Sequence, residues 1–282
     1  MQLKVPKLRK IPFEGAIIER YKRRECSVEE ALVEMYLAGV SVRRVEDITE
    51  ALWGTRASAG LVSKLNKQVY ERIELWRNRK IEGQFPYVYL DGIVLKRTWA
   101  EEVRNVSILV AFGVNDEGFR EILGAAEGTK EDRSGWSAFL SNLKQRGLQG
   151  VRLFISDKCL GLVESLGEFY PETLWQRCTV HFYRNVFTNV PKAKVEEVAA
   201  MLKAIHAQED RQAALQKAKF VIEKMRALKL VGAARTVEEG IAETLTYTEF
   251  PREHWRKIRT NNSMERVMRE IRRRTQVCRQ FS

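Results

Sequence analysis

The sequence predicts an α/β protein built on a mixed five-stranded sheet, with helices ahead of the sheet and a long helical stretch after it. Three observations predict this. Apolar residues between 28 and 78 recur at steps of three and four, the period of a helix. From Pro86 the period changes to two, and strand-like runs then alternate with helix-like ones as far as Gln176. Residues 178–250 return to helical spacing, interrupted mainly by Pro191 and a few glycines.

Each element has its own warrant. Ser27 caps a first helix through Leu37, with Glu30 at its third position, and Gly39 breaks it. Ser41 caps a second, in which Val42, Val45, Ile48 and Leu52 share a face before Gly54 ends it. Ala57 to Asn78 forms a third, with Leu61, Leu65, Val69, Ile73 and Trp76 along one stripe. Short helices joined by glycine-containing turns fit either a plain three-helix bundle or a helix-turn-helix, whose last helix can enter the major groove. On that last helix Ser58, Ser63, Lys64, Asn66 and Lys67 face away from the apolar stripe.

Strands are expected over Tyr87–Asp91, Asn105–Val114 and Glu121–Ala126, with turns at Gly92–Glu101 and Asn115–Gly118. A helix follows over Ser134–Arg146 and stops at Gly147. Val151–Ser156 is a fourth strand, Leu160–Phe169 a helix, and Thr173–Gln176 a short fifth strand. The longest helical runs beyond are Lys192–His206 and Arg211–Leu230.

Composition narrows the class of function. The 282 residues are 44% hydrophobic, enough for a folded core. The longest nearly unbroken apolar run, Val106–Val114, is nine residues, strand length and far short of a membrane span. Four scattered cysteines (Cys26, Cys159, Cys178, Cys278) lack disulfide-framework spacing, so a reduced, cytoplasmic protein is expected. Nucleotide hydrolysis and dinucleotide chemistry find no support, since neither a Gly-Lys phosphate loop nor a Gly-x-Gly-x-x-Gly run is present. Net charge is +12 and clusters at two poles. Residues 252–279 hold ten Arg or Lys against three Glu, and residues 1–25 hold eight against three. Such poles suit a polyanion, with double-stranded DNA as the expected partner.

Three acidic residues carry the chemical expectation. Asp91 ends one strand-like run and Asp157 ends another, while Glu265 lies in the basic helix after Arg259. Carboxylates on rigid strand ends offer a hard divalent ion the oxygen ligands it prefers. Glu270 competes with Glu265, but the two stand about 140° apart on a helix, so one alone can face a given site. Asn262 and Arg266 flank Glu265 on its side. A Cys178-x-x-His181 pair invites a zinc reading, yet no second pair lies at ligand spacing, and bracing of the core fits better.

Leu90-Asp91-Gly92, the run Ile155-Ser156-Asp157 with Gly161-Leu162, the tetrad Cys178-Thr179-Val180-His181 and the block Arg259-Thr260-Asn261-Asn262-Ser263-Met264-Glu265-Arg266 with Arg272-Arg273-Arg274-Thr275 resemble Mutator-type transposases of bacterial insertion sequences. The resemblance runs from about residue 30 to the C-terminus. It implies a DDE enzyme on a ribonuclease-H-like fold, with an all-α insertion before the last acidic residue. Asp91, Asp157 and Glu265 would then be both catalytic residues and metal ligands of a two-ion site for Mg2+, with Mn2+ as substitute. Asp91 would bridge the ions and the other two would take one each. Trp175, Cys178 and His181 would support the site. Ser63, Lys64, Asn66 and Lys67 would contact DNA, as would Arg259, Asn262, Arg266, Arg269, Arg272, Arg273 and Arg274. The substrates would be element terminal inverted repeats and target DNA, and pairing two ends implies a homodimer or higher oligomer.

The resulting domain plan is a helix-turn-helix-type segment (1–80), the first part of the catalytic core (81–178), a helical insertion (179–250) and a basic helix completing the core (251–282). Two departures stand out. Lys158-Cys159-Leu160 follows Asp157 where small or polar residues are usual, and both chain ends look shortened, so an inactive DNA-binding remnant is the alternative expectation.

Overall fold

The computed structural model describes residues 31–35, 40, 42–53, 59–99, 102–128 and 132–277. Two compact units emerge, one of residues 1–76 with 274–282 and one of residues 77–273. In the first, residues 31–35 are helical, and α1 (Val42–Trp53) and α2 (Ala59–Asn78) follow. Leu32, Val33 and Val69 are buried together there. The cap expected at Ser27 and the basic pole at 1–25 lie outside the described residues, as do the side chains of Ser63, Lys64 and Asn66. Lys67 is exposed on α2.

The second unit holds a five-stranded mixed sheet in the order β3-β2-β1-β4-β5. β1 (Tyr87–Trp99), β2 (Glu102–Val114) and β3 (Arg120–Gly128) form an antiparallel meander. β4 (Leu153–Ser156) runs parallel to β1, and β5 (Leu174–Arg177) runs parallel to β4. This mixed α/β architecture is consistent with a ribonuclease-H-like fold. One expected turn is replaced by strand. Gly92–Trp99 continues β1, because Ile93 and Leu95 extend the alternation past Gly92 and Ile93 is fully buried. The turn at Asn115–Gly118 forms as expected: the Asn115 Oδ1 accepts from the Phe119 amide at 2.7 Å, and Gly118 takes φ +86°.

Two cores lie on opposite faces of the sheet. One face packs Val88, Leu90, Leu109, Ala111 and Phe154 against α3 (Arg133–Gln145) and α4 (Leu160–Phe169), through Trp136, Phe139, Leu140, Leu143, Leu162 and Leu166. Asp132 caps α3 by accepting from the Gly135 amide at 2.9 Å. The other face packs Tyr89, Ile93, Val110, Phe112, Leu153 and Ile155 against the helices that follow β5. These are α5 (Thr179–Phe187), α6 (Val195–Ile205), α7 (Arg211–Ala227), α8 (Val231–Gly240), α9 (Arg252–Ile258) and α10 (Asn262–Val277). Met264 and Met268 of α10 belong to this second core. Full burial of each contributes roughly 1.5–3 kcal/mol toward holding α10 on the sheet.

Candidate active site

The strands fix where the two aspartates stand in the chain. Successive side chains alternate across a sheet, so Asp91, between Tyr89 and Ile93, shares the face those residues bury against the helices that follow β5. Asp157 follows Leu153 and Ile155 by the same step of two. The parallel ladder pairs Tyr89 with Ile155. Asp91 stands two residues past Tyr89 on β1, and Asp157 two residues past Ile155, just beyond the end of β4. Asp91 Oδ1 accepts from the Gly92 amide at 3.0 Å, and Asp157 Oδ1 accepts from the Lys158 amide at 2.7 Å.

The chain before Glu265 is laced to β1. The Tyr87 hydroxyl meets His254 Nδ1 at 2.7 Å, and the Tyr89 hydroxyl donates to the Lys257 carbonyl at 3.2 Å. Burial pushes the Tyr89 hydroxyl pKa up to about 12, which keeps it a neutral donor. The Asn261 side-chain amide then donates to the Leu90 carbonyl at 3.4 Å, one residue before Asp91. The Asn261 carbonyl accepts from the Met264 and Glu265 amides, starting α10.

The neighbouring polar residues tie the strand ends to one another. The Asn261 amide donates to Cys178 Sγ at 3.2 Å, and the Cys178 amide donates to the Ser156 carbonyl at 2.7 Å. Cys178 is fully buried, and burial raises its thiol pKa against the opposing pull of nearby backbone amides. It is therefore a neutral brace. Trp175 Nε1 donates to Ser156 Oγ at 2.9 Å, beside Asp157. His181 Nε2 lies 3.9 Å from Glu265 Oε1, and the Arg184 guanidinium lies 3.3 Å from the same oxygen. His181 Nδ1 and Asn261 Oδ1 are buried without a hydrogen-bond partner.

Among the described residues, no group of three or more His, Cys, Asp or Glu converges as ready ligands of one ion. The donors are hard carboxylate oxygens, so their chemistry fits magnesium or manganese. Glu265 is engaged by Arg184 and would join the aspartates by exchanging that partner. Lys158, the unusual residue after Asp157, is turned away into an ion pair with Glu243 at 2.5 Å, which Arg177 shares at 3.2 Å.

The basic residues separate into distinct groups. Arg266, Arg269, Arg272 and Arg273 are exposed on α10, with Arg273 paired to Glu270 at 2.7 Å. Asn262 is exposed at the helix start, and the Arg274 side chain lies outside the described residues. Arg259, expected among the DNA contacts, lies just before α10. It is half-buried, with its guanidinium directed at the His206 carbonyl at 3.5 Å, because the chain before α10 must pack onto the helical layer.

The family model described as "Transposase, Mutator family" matches residues 1–282. The chain belongs to that family. It is 38% identical to the transposase for insertion sequence element ISRM5 of Rhizobium meliloti (strain 1021), covering 100% of this chain and 70% of that one. It is also 38% identical to the transposase for element IS1081 of Mycobacterium tuberculosis (strain ATCC 25618 / H37Rv), covering 97% and 66%. A third relative, the transposase for element IS256 in transposon Tn4001 of Staphylococcus aureus, is 34% identical over 100% and 72%. The chain thus spans about two thirds of the length of these relatives. Likeness to solved structures is slight: a chain of the simian T-cell lymphotropic virus intasome gives a TM-score of 0.23 at 11% identity, over 53% of this chain and 66% of that one.

Within this Mutator-family chain, sequence reasoning missed Tyr87, Tyr89, Arg184 and Asn261. The two tyrosines were legible as strand residues, but their hydroxyl partners lie about 168 positions away. Asn261 differs from Asn262 by one step of the helix, and burial alone distinguishes them.

Proposed function

We propose that the chain is a DDE transposase that cleaves and joins DNA at insertion-sequence terminal inverted repeats. The observation that supports this reading is that Asp91 on β1 and Asp157 just past β4 follow paired residues of one parallel ladder, while Asn261, at the start of α10, bonds the Leu90 carbonyl beside Asp91. In hydrolysis, water oxygen attacks phosphorus, the P–O3′ bond breaks, and the departing 3′-oxygen takes a proton. In strand transfer that 3′-hydroxyl attacks a target phosphodiester and displaces its oxygen, leaving the bond count unchanged. Asp91, Asp157 and Glu265 would hold the divalent ions, which when bound activate the attacking oxygen and stabilise the leaving one. The exposed arginines of α10 bind phosphate through charge-assisted hydrogen bonds and orient the backbone along the helix. The helices of the first unit read the terminal repeat through Ser63, Lys64, Asn66 and Lys67, and two copies bring two ends together.

The deciding experiment is cleavage of labelled terminal-repeat DNA with Mg2+ or Mn2+. Wild type should cut, while Asp91→Asn, Asp157→Asn and Glu265→Gln should each lose cleavage and keep repeat binding. Glu270→Gln should cut nearly normally, because its carboxylate serves Arg273. Wild type that binds repeats and never cuts would establish a DNA-binding protein only.

A further inference from the structure

We infer that Asn261 is the positioning residue that sets Glu265 against Asp91, an inference that rests on the DDE reading above. Asn261 is fully buried and is the point at which three parts of the site meet. Its side-chain amide bonds the Leu90 carbonyl, so it fixes the backbone from which Asp91 projects. Its main-chain amide bonds Cys178 Sγ, so it fixes the β5–α5 junction that adjoins Ser156 and Asp157. Its carbonyl receives the amides of Met264 and Glu265, so it fixes the first turn of α10. One residue thus references all three carboxylates to a common origin.

The other links to β1 lie further from the site. Tyr87 and Tyr89 anchor α9, four to seven residues before Asn261. The three residues between Asn261 and Glu265 belong to the turn that the Asn261 carbonyl closes. A displacement of Asn261 is therefore transmitted to Glu265 without an intervening joint. Catalytic groups tolerate errors of only about 0.5 Å before rate falls. Asn261 touches neither DNA nor ion in this role and acts through Leu90 and α10.

The test uses Asn261→Asp, which keeps side-chain size but sets an acceptor against the Leu90 carbonyl, and Asn261→Ala, which removes the contact without repulsion. Val221→Ala, in the same core but away from the site, supplies a control for lost stability. Three quantities are read on the full chain: cleavage rate at saturating terminal-repeat DNA, repeat affinity, and the rise in Tm on adding Mn2+ without DNA. Expected is a fall in rate of tenfold or more, unchanged repeat affinity, and a Mn2+-induced Tm rise smaller than in wild type, with Asn261→Asp worse than Asn261→Ala. The control should keep its Mn2+ response at equal loss of Tm. The inference is overturned if both variants cut and respond to Mn2+ like the control, or if both fail to fold, since Asn261 would then serve stability alone. Failure of wild type to cut would instead remove the DDE reading.

Discussion

Replacing Arg184 with Gln should make the site bind divalent ions more tightly. The Arg184 guanidinium stands 3.3 Å from Glu265 Oε1, with the arginine side chain 60% exposed and the carboxylate 28% exposed. A pair so open to solvent contributes about 0.2–1 kcal/mol, far below the bare Coulomb value at that distance. That energy must be given up before Glu265 can turn to an ion. Removing it should lower the ion concentration for half-saturation by up to about fivefold, the equivalent of 1 kcal/mol. Repulsion between the guanidinium and the incoming ion acts in the same direction. Calorimetric titration of Mn2+ into wild type and Arg184→Gln without DNA measures the shift. The difference should shrink at high salt, which screens an exposed charge. Equal affinities at low salt, or weaker binding by Arg184→Gln, would refute the reasoning and make Arg184 a support that Glu265 needs.

Three other outcomes can be checked directly. His206 is buried, and burial first, then the Arg259 charge, lowers its pKa to about 3 from 6.5; the unfolded chain therefore binds the extra proton across that window, stability is full above 6.5 and falls as pH drops, and urea unfolding should lose about 2 kcal/mol between pH 7 and 5 that His206→Gln does not lose. Gly161→Ala should destabilise by about 1–3 kcal/mol in the same assay, because a Cβ there would stand 2.5 Å from the Arg133 backbone nitrogen where α4 meets α3. Repeat binding should weaken steeply with salt, and Arg266→Ala or Arg269→Ala should each reduce the log–log slope by about 0.9 per lost phosphate contact.

Much of the sheet was legible because its signals are local. The period-two runs, the Asn115–Gly118 turn and the glycine after α3 each depend on residues within a few positions. The hairpin of β1 and β2 was underestimated for a local reason as well: Gly92 and the polar Lys96-Arg97-Thr98 looked like a loop, whereas pairing with Glu102–Ser107 extends the strand. The acidic residues could be found by type and spacing. Their supports could not, since Arg184 finds Glu265 across 81 positions and Asn261 finds Leu90 across 171. No pattern in either segment announces its partner, and a buried Asn has the same letter as an exposed one.

The two faces of the sheet differ in how far their covering helices lie along the chain. The α3–α4 face closes with residues no later than 175, close behind the strands they cover. The opposite face waits for Met264 and Met268. During synthesis, the emerging chain can therefore complete β1, β4 and one core while Glu265 is still unmade. Domains form from the N-terminal side as they are produced, and distant contacts form slowest. A ribosome-bound fragment ending before α10 would carry Asp91 and Asp157 without Glu265, so under the proposed reading the site would stay incomplete until α10 has emerged.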